Sequence, residues 1–202
     1  MGLRQRRQVL VSALRGIWPA WAVIAVSTVL ELGGEPVRAA LRYERSGLLS
    51  GELWRVLTGH FVHLGPMHLM LNAVGTLLVA ILMIRALSPG QWCIVTAAVI
   101  GSIGLGFWLL NPSLEWYVGL SGLLHGWFAA GIVGLLRHDG SEGWPLAFLL
   151  AGKLAIEQWY GAIPGSSEFA GGPVVIDAHL YGAAAGLLTG ILLTRFAGPR
   201  RL

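Results

Sequence analysis

The sequence predicts an all-α membrane protein built from six transmembrane helices. Three observations carry that expectation. Of the 202 residues, 55% are hydrophobic and only 12% charged; the mean hydropathy is +0.68; and the apolar residues gather into six runs that approach the roughly 20 residues a helix needs to cross a hydrocarbon core. Lipid offers backbone N–H and C=O groups no partners, so spanning segments must satisfy them internally, as helices or as a closed barrel. Alternation within the runs is too weak for barrel strands.

The first run, residues 17–32, follows Arg4, Arg6 and Arg7 and so has the flank of a secretory signal, but no small-residue cleavage pattern comes after it and five further runs do. The second, 67–87, is preceded by Gly65 and Pro66, where a proline loses no intrahelical bond. The third, 92–110, contains the single cysteine, Cys93, which has no partner for an internal disulfide and reads as a packing residue. The fourth, 119–136, opens on Gly119-Leu120-Ser121-Gly122. The fifth, 144–160, carries Lys153, Glu157 and Gln158, and the sixth, 175–196, carries His179. All of residues 1–202 read as one domain, with the long connection 33–61 forming a small interfacial structure. The nine tryptophans fall mostly near the ends of the runs, as an interfacial belt does.

A pI of 9.8 invites a nucleic-acid partner, but no basic patch is interleaved with aromatics, and nucleic acid is excluded. Topology accounts for the cations. With six spans, Arg4, Arg6, Arg7, Arg15, Arg85, Arg137, Arg195, Arg200 and Arg201 fall on one side, while the two later connections opposite hold Glu115, Glu168 and Asp177 and no Lys or Arg. Both termini are therefore predicted to be cytoplasmic. The first external connection is the exception, its Arg38, Arg42, Arg45 and Arg55 being offset by Glu35, Glu44 and Glu52.

Polar groups inside membrane helices are costly, which makes three clusters functional candidates. His68 and Asn72 are four residues apart, on one helical face. Ser121 sits at a helix N-terminus, where unpaired N–H groups and the positive dipole end suit a developing oxyanion, and Gly119 and Gly122 leave room for a substrate backbone. His179 is followed by Gly182, Gly186 and Gly190, a smooth face for close packing. Packed against Gly122, Gly126 and Ala130, that face brings His179 to the Ser121 hydroxyl. A nucleophile, a base and two side-chain donors make up the parts needed for acyl transfer. No third acid is evident, since Asp177 lies on a different face from His179, so a Ser–His dyad is expected.

These residues resemble the rhomboid family of intramembrane serine proteases. The run Trp54-Arg55, Thr58, Phe61, His63, His68, Asn72 is similar to the family's first-loop and second-helix pattern, Gly119 to Gly122 to its GxSG, and His179-Gly182-Gly186 to its HxxGxxxG. The resemblance covers nearly the whole chain. It implies a six-helix rhomboid-like bundle in a bacterial inner membrane, an endopeptidase without cofactor, and transmembrane proteins as substrates. It further implies Ser121 as nucleophile, His179 as general base, and His68, Asn72 and the Ser121 N–H around the oxyanion. Where rhomboids commonly carry a tyrosine four residues after the serine, this chain has His125, on the Ser121 face and able to stack on His179. With the short build and Lys153, Glu157 and Gln158, that departure resembles the rhombosortase branch. The likeness implies substrates with a C-terminal Gly-Gly motif, an apolar tail and a basic end, and the option of transferring the acyl group to an amine.

His60, His63, His68, His125 and His179 do not suggest a metal site, because no carboxylate lies at ligand spacing and His60 and His63 share no helix stripe; His60 reads as an interfacial residue. Lys153 and Glu157 suit an internal pair, with Glu157 and Gln158 kept as substrate-contact candidates. A transporter would need paired half-helices or repeats, and neither is found. An inactive relative that binds transmembrane clients is the alternative function, against which the intact Ser121 and His179 stand. Residues 161–173, rich in Gly, Pro and Ser, read as a mobile external cap that lifts with the fifth helix.

Overall fold

The computed structural model describes residues 16–138 and 140–196. The arginines at positions 4, 6, 7, 15, 200 and 201, on which part of the orientation expectation rests, lie outside these residues. The described helices are, in chain order, α1 (Trp18–Glu31), α2 (Gly34–Leu41), α3 (Arg45–Leu49), α4 (Arg55–Thr58), α5 (Pro66–Leu82), α6 (Pro89–Leu110), α7 (Ser121–His138), α8 (Gly143–Tyr160), α9 (Ser166–Ala170) and α10 (Ile176–Phe196). Six of them, α1, α5, α6, α7, α8 and α10, occupy the six predicted runs.

Not all six are equally apolar. Among the described residues, α6 and residues 176–195 of α10 are long and apolar enough to cross a membrane by length and composition. The pair α1 and α2, bent by 119°, would make a third span, and α5 is a shorter apolar helix. The helices α7 and α8 are not among these, and they carry the polar Ser121, His125, Lys153 and Glu157. The bundle is thus a helical membrane fold whose count of six spans is approximate.

Starts and turns follow from local chemistry. Helix α6 begins with a capping box, Ser88 and Gln91 satisfying each other's backbone N–H, and with Pro89 in the first turn. The glycine face predicted on α10 meets α7 in the expected register. A Cβ on Gly182 would overlap the Gly122 carbonyl oxygen, one on Gly186 the Gly126 carbonyl oxygen, and one on Gly190 would lie 3.0 Å from Ala130 Cα. Helix α7 is packed from the α6 side as well: Trp127 meets Trp92 edge to face at 4.8 Å and donates to Thr96 Oγ1 at 2.9 Å. Cys93, by contrast, is exposed and does not pack in this core. A cysteine in an apolar run carries no mark of which helical face it occupies.

The long first connection folds as α2 to α4 and is organised by Arg55, 7% exposed, which donates to the Ala39 and Arg42 carbonyls and pairs with Glu52. Two strands of two residues, β1 (Tyr43–Glu44) and β2 (Trp116–Tyr117), pair antiparallel with Tyr43 opposite Tyr117. This pairing ties the connection to the segment entering α7.

Candidate active site

The predicted polar residues meet because α5, α7 and α10 present their N-terminal turns to one cavity. His179 Nε2 lies 3.0 Å from Ser121 Oγ, across 58 residues of sequence. Close helix contact makes this possible: a Cβ on Gly122 would stand 2.9 Å from the Ala178 carbonyl oxygen. His125, one turn along α7, stacks on His179 with ring centroids 4.1 Å apart and planes 14° from parallel. Its Nδ1–H donates to the Ser121 carbonyl at 2.7 Å, which fixes the ring.

Glu157, read from the sequence as an ion-pair member and substrate-contact candidate, also joins the cluster. Glu157 Oε2 accepts from His179 Nδ1 at 2.9 Å, and Glu157 Oε1 pairs with Lys153 Nζ at 2.7 Å. The expected internal pair is present, yet the same carboxylate also reaches the histidine, so His179 has an acid partner where none was expected. Asp177, the nearer acid in sequence, is held by Asn111 Nδ2 at 2.6 Å. A carboxylate in an otherwise apolar helix was the available signal; interhelical pairing is not encoded in spacing. Gln158, the other substrate-contact candidate, is exposed and outside the cavity lining, because one further residue turns it about 100° away from Glu157.

On the opposite wall, His68 and Asn72 stand beside Gly119. A Cβ at Gly119 would lie 3.0 Å from His68 Nε2 and 3.8 Å from Asn72 Nδ2. The Leu64 N–H donates to His68 Nδ1 at 3.3 Å, so a neutral His68 carries its proton on Nε2, facing the cavity. Asn72 spends one amide hydrogen on the His68 carbonyl at 3.1 Å, leaving the second for another acceptor. Gly119 adopts φ +115, open to glycine and strained for other residues.

The cavity is about 600 Å³ and is lined by His68, Asn72, Ser121, His125, Glu157 and His179 among others. Its roof is the predicted cap: Ile163, Ser166, Ala170 and Pro173 line it from above, with α9 between left-handed Gly165 and Gly171. Ligand-type atoms of His125, Glu157 and His179 lie within 4.8 Å of one another, so a carboxylate does join the histidines in space. The two imidazoles are stacked almost parallel, however, and their lone pairs run side by side instead of meeting at one point.

His60, in the first connection, and His63, between α4 and α5, are buried, although His60 reads from the sequence as an interfacial residue. His60 packs edge-on against Tyr117 and His63 against His68. Burial lowers His60 to about 4, and burial with the neighbouring His68 lowers His63 to about 3, so both are neutral at pH 7.

Comparison with known proteins finds the Rhomboid domain over residues 50–196. The Bacillus subtilis (strain 168) protein YdcA, which bears a rhomboid-protease name, is 28% identical over 148 residues, covering 72% of this chain and 70% of that protein. Rhomboid protease GlpG of Salmonella choleraesuis (strain SC-B67) is 24% identical over 206 residues, covering 98% of this chain and 72% of that protein. The GlpG of Salmonella newport (strain SL254) matches to the same extent.

Proposed function

The chain belongs to the rhomboid family, and from that premise we propose that it is an intramembrane serine endopeptidase with Ser121 as nucleophile and His179 as general base. The observation that carries the reading is the 3.0 Å approach of His179 Nε2 to Ser121 Oγ inside a cavity of about 600 Å³. As the Ser121 oxygen attacks the scissile carbonyl carbon, its proton passes to His179 Nε2 and the carbonyl π electrons move onto oxygen. The oxyanion is met by the His68 Nε2–H, the free Asn72 amide hydrogen and the Ser121 backbone N–H at the start of α7. Gly119 leaves the space that this oxygen needs. Collapse re-forms the carbonyl and breaks the C–N bond, and His179 returns its proton to the departing amine. Water then attacks the acyl-enzyme, giving its proton to His179, and the serine regains a proton as the carboxylic acid leaves. An external amine attacking in place of water would join a new peptide bond.

The proposed orientation and substrate class are supported by setting and chemistry. The site lies near the N-terminal ends of α5, α7 and α10, with Arg85, Arg137 and Arg195 toward the opposite ends of the bundle, which supports an externally facing cavity and cytoplasmic termini in a bacterial inner membrane. His125 in place of the commoner tyrosine supports the rhombosortase branch, and with it surface proteins ending in Gly-Gly, an apolar helix and a basic cluster.

Purified protein in liposomes, given such a Gly-Gly-tailed substrate, should cleave it, and Ser121→Ala and His179→Ala should each lose about 1,000-fold or more in kcat/KM. Equal cleavage by the two variants would end the assignment. Cleavage of general transmembrane substrates with no preference for the tail would remove the rhombosortase refinement alone.

A further inference from the structure

The Ser121–His179 reading leaves one buried charge unused. Resting on that reading, we propose that Glu157 is a positioning residue that completes a Ser–His–Glu relay, and that Lys153 holds its carboxylate in place.

The two histidine nitrogens have to be told apart. His179 accepts the serine proton only if Nε2 is free of hydrogen, which requires the tautomer with hydrogen on Nδ1. A carboxylate can only accept, so the 2.9 Å contact from Nδ1 to Glu157 Oε2 selects that tautomer. His125 cannot do this. Its stacked ring at 4.1 Å restrains the plane of His179 but leaves rotation within that plane free, whereas Glu157 lies at the ring edge and blocks it. The two contacts together hold the imidazole in every direction relevant to Ser121. The carboxylate also lies beside the positive charge that appears on His179 during attack, where little water screens it.

Lys153 explains how a carboxylate persists there. Glu157 is 3% exposed, and an unpaired charge in an apolar helix is expensive. Lys153, one turn earlier on α8, engages Oε1 at 2.7 Å and leaves Oε2 for the histidine, while its own side chain stays 32% exposed toward the cavity. A pair serving only to neutralise itself would not need to divide its two oxygens between an ammonium and an imidazole.

The full chain in liposomes tests this with a fluorogenic transmembrane substrate, measuring kcat, KM and Ser121 labelling by a fluorophosphonate. Glu157→Gln should lower kcat by about 100-fold to 10,000-fold with KM nearly unchanged, slow the labelling, and cause no further loss in a His179→Ala background. Glu157→Asp should recover part of kcat. The charge-free double variant Lys153→Met/Glu157→Gln removes the unpaired ammonium that could impair folding, and should remain as slow as Glu157→Gln. Near-normal kcat in either Gln-containing variant would overturn the role of Glu157 while leaving the protease assignment intact. Normal cleavage by Ser121→Ala and His179→Ala would overturn both.

Discussion

The α7–α10 contact offers a direct way to move the proposed catalytic pair, Ser121 and His179, without touching it. In Gly182→Ala the new methyl would overlap the Gly122 carbonyl oxygen, which is backbone and cannot rotate aside. Restoring ordinary carbon–oxygen contact requires the two helices to part by about 1 Å. Gly182 is one turn from His179 and Gly122 adjoins Ser121, so most of that displacement reaches the pair. A separation of 3.0 Å would become about 4 Å, beyond hydrogen-bond range, and a 1 Å misplacement of reacting groups costs about 100-fold in rate. The overpacking itself should cost about 1–3 kcal/mol of stability.

Gly190→Ala serves as the graded comparison. Its Cβ would stand 3.0 Å from Ala130 Cα, about 16 Å along the helix from His179 at 1.5 Å per residue. It should lower the thermal midpoint while costing less than about 10-fold in kcat. The assay is kcat on a fluorogenic transmembrane substrate, with helical content and melting midpoint recorded on the same liposome preparations. A folded Gly182→Ala protein with wild-type kcat would refute the claim that this glycine contact sets the Ser121–His179 distance.

Gly119→Ala should abolish fluorophosphonate labelling with a stability loss of only about 1–2 kcal/mol, because its Cβ would stand 2.8 Å from His68 Cε1; efficient labelling would show that the oxyanion is bound elsewhere. Acid should destabilise the fold as pH falls below 6.5, down to about 4 for His60 and about 3 for His63: both are held below the ordinary 6.5, so as pH falls the unfolded chain takes up protons that the folded chain refuses. This costs about 1 kcal/mol per histidine by pH 5.5, and melting midpoints from pH 7.5 to 5 should fall less steeply in His60→Phe and His63→Phe. The cap rests on the start of α5, where a Cβ on Gly172 would meet Leu64. Joining Leu64→Cys and Gly172→Cys with a short thiol cross-linker in a Cys93→Ser background should therefore block cleavage of a membrane-embedded substrate but spare a small soluble ester. Unchanged cleavage of the membrane substrate would remove the lifting motion.

What was legible in the sequence divides along a physical line. Helices announce themselves through runs of apolar residues, and Ser121, His179, His68 and Asn72 stood out because polar groups are rare in such runs. The register of α10 on α7 was legible too, since glycines four apart specify both a face and a close partner. Faces without such a mark were not. Cys93 reads as a packing residue and lies outward, His60 reads as interfacial and is buried, and Gln158 reads as a substrate contact beside Glu157 although one residue of rotation separates cavity from exterior. The acid beside His179 was hidden for the same reason: Lys153 and Glu157 already satisfied each other at i,i+4 spacing, and sequence distance says nothing about a second partner on another helix.

That second partner bears on how the proposed relay could hold its charges among apolar helices. Each polar group at the site is engaged by a fixed neighbour before any substrate arrives: Glu157 by Lys153, His179 by Glu157, His125 by the Ser121 carbonyl, and His68 Nδ1 by the Leu64 N–H. The His68 Nε2–H and one Asn72 amide hydrogen remain without such partners, both beside Gly119. Donors gathered at that point favour negative charge there, which is where the proposed attack on a carbonyl would place it. The cost of holding so many dipoles in one direction falls on the glycine contacts between α7 and α10, so mutations that loosen those contacts should reduce catalysis before they unfold the bundle.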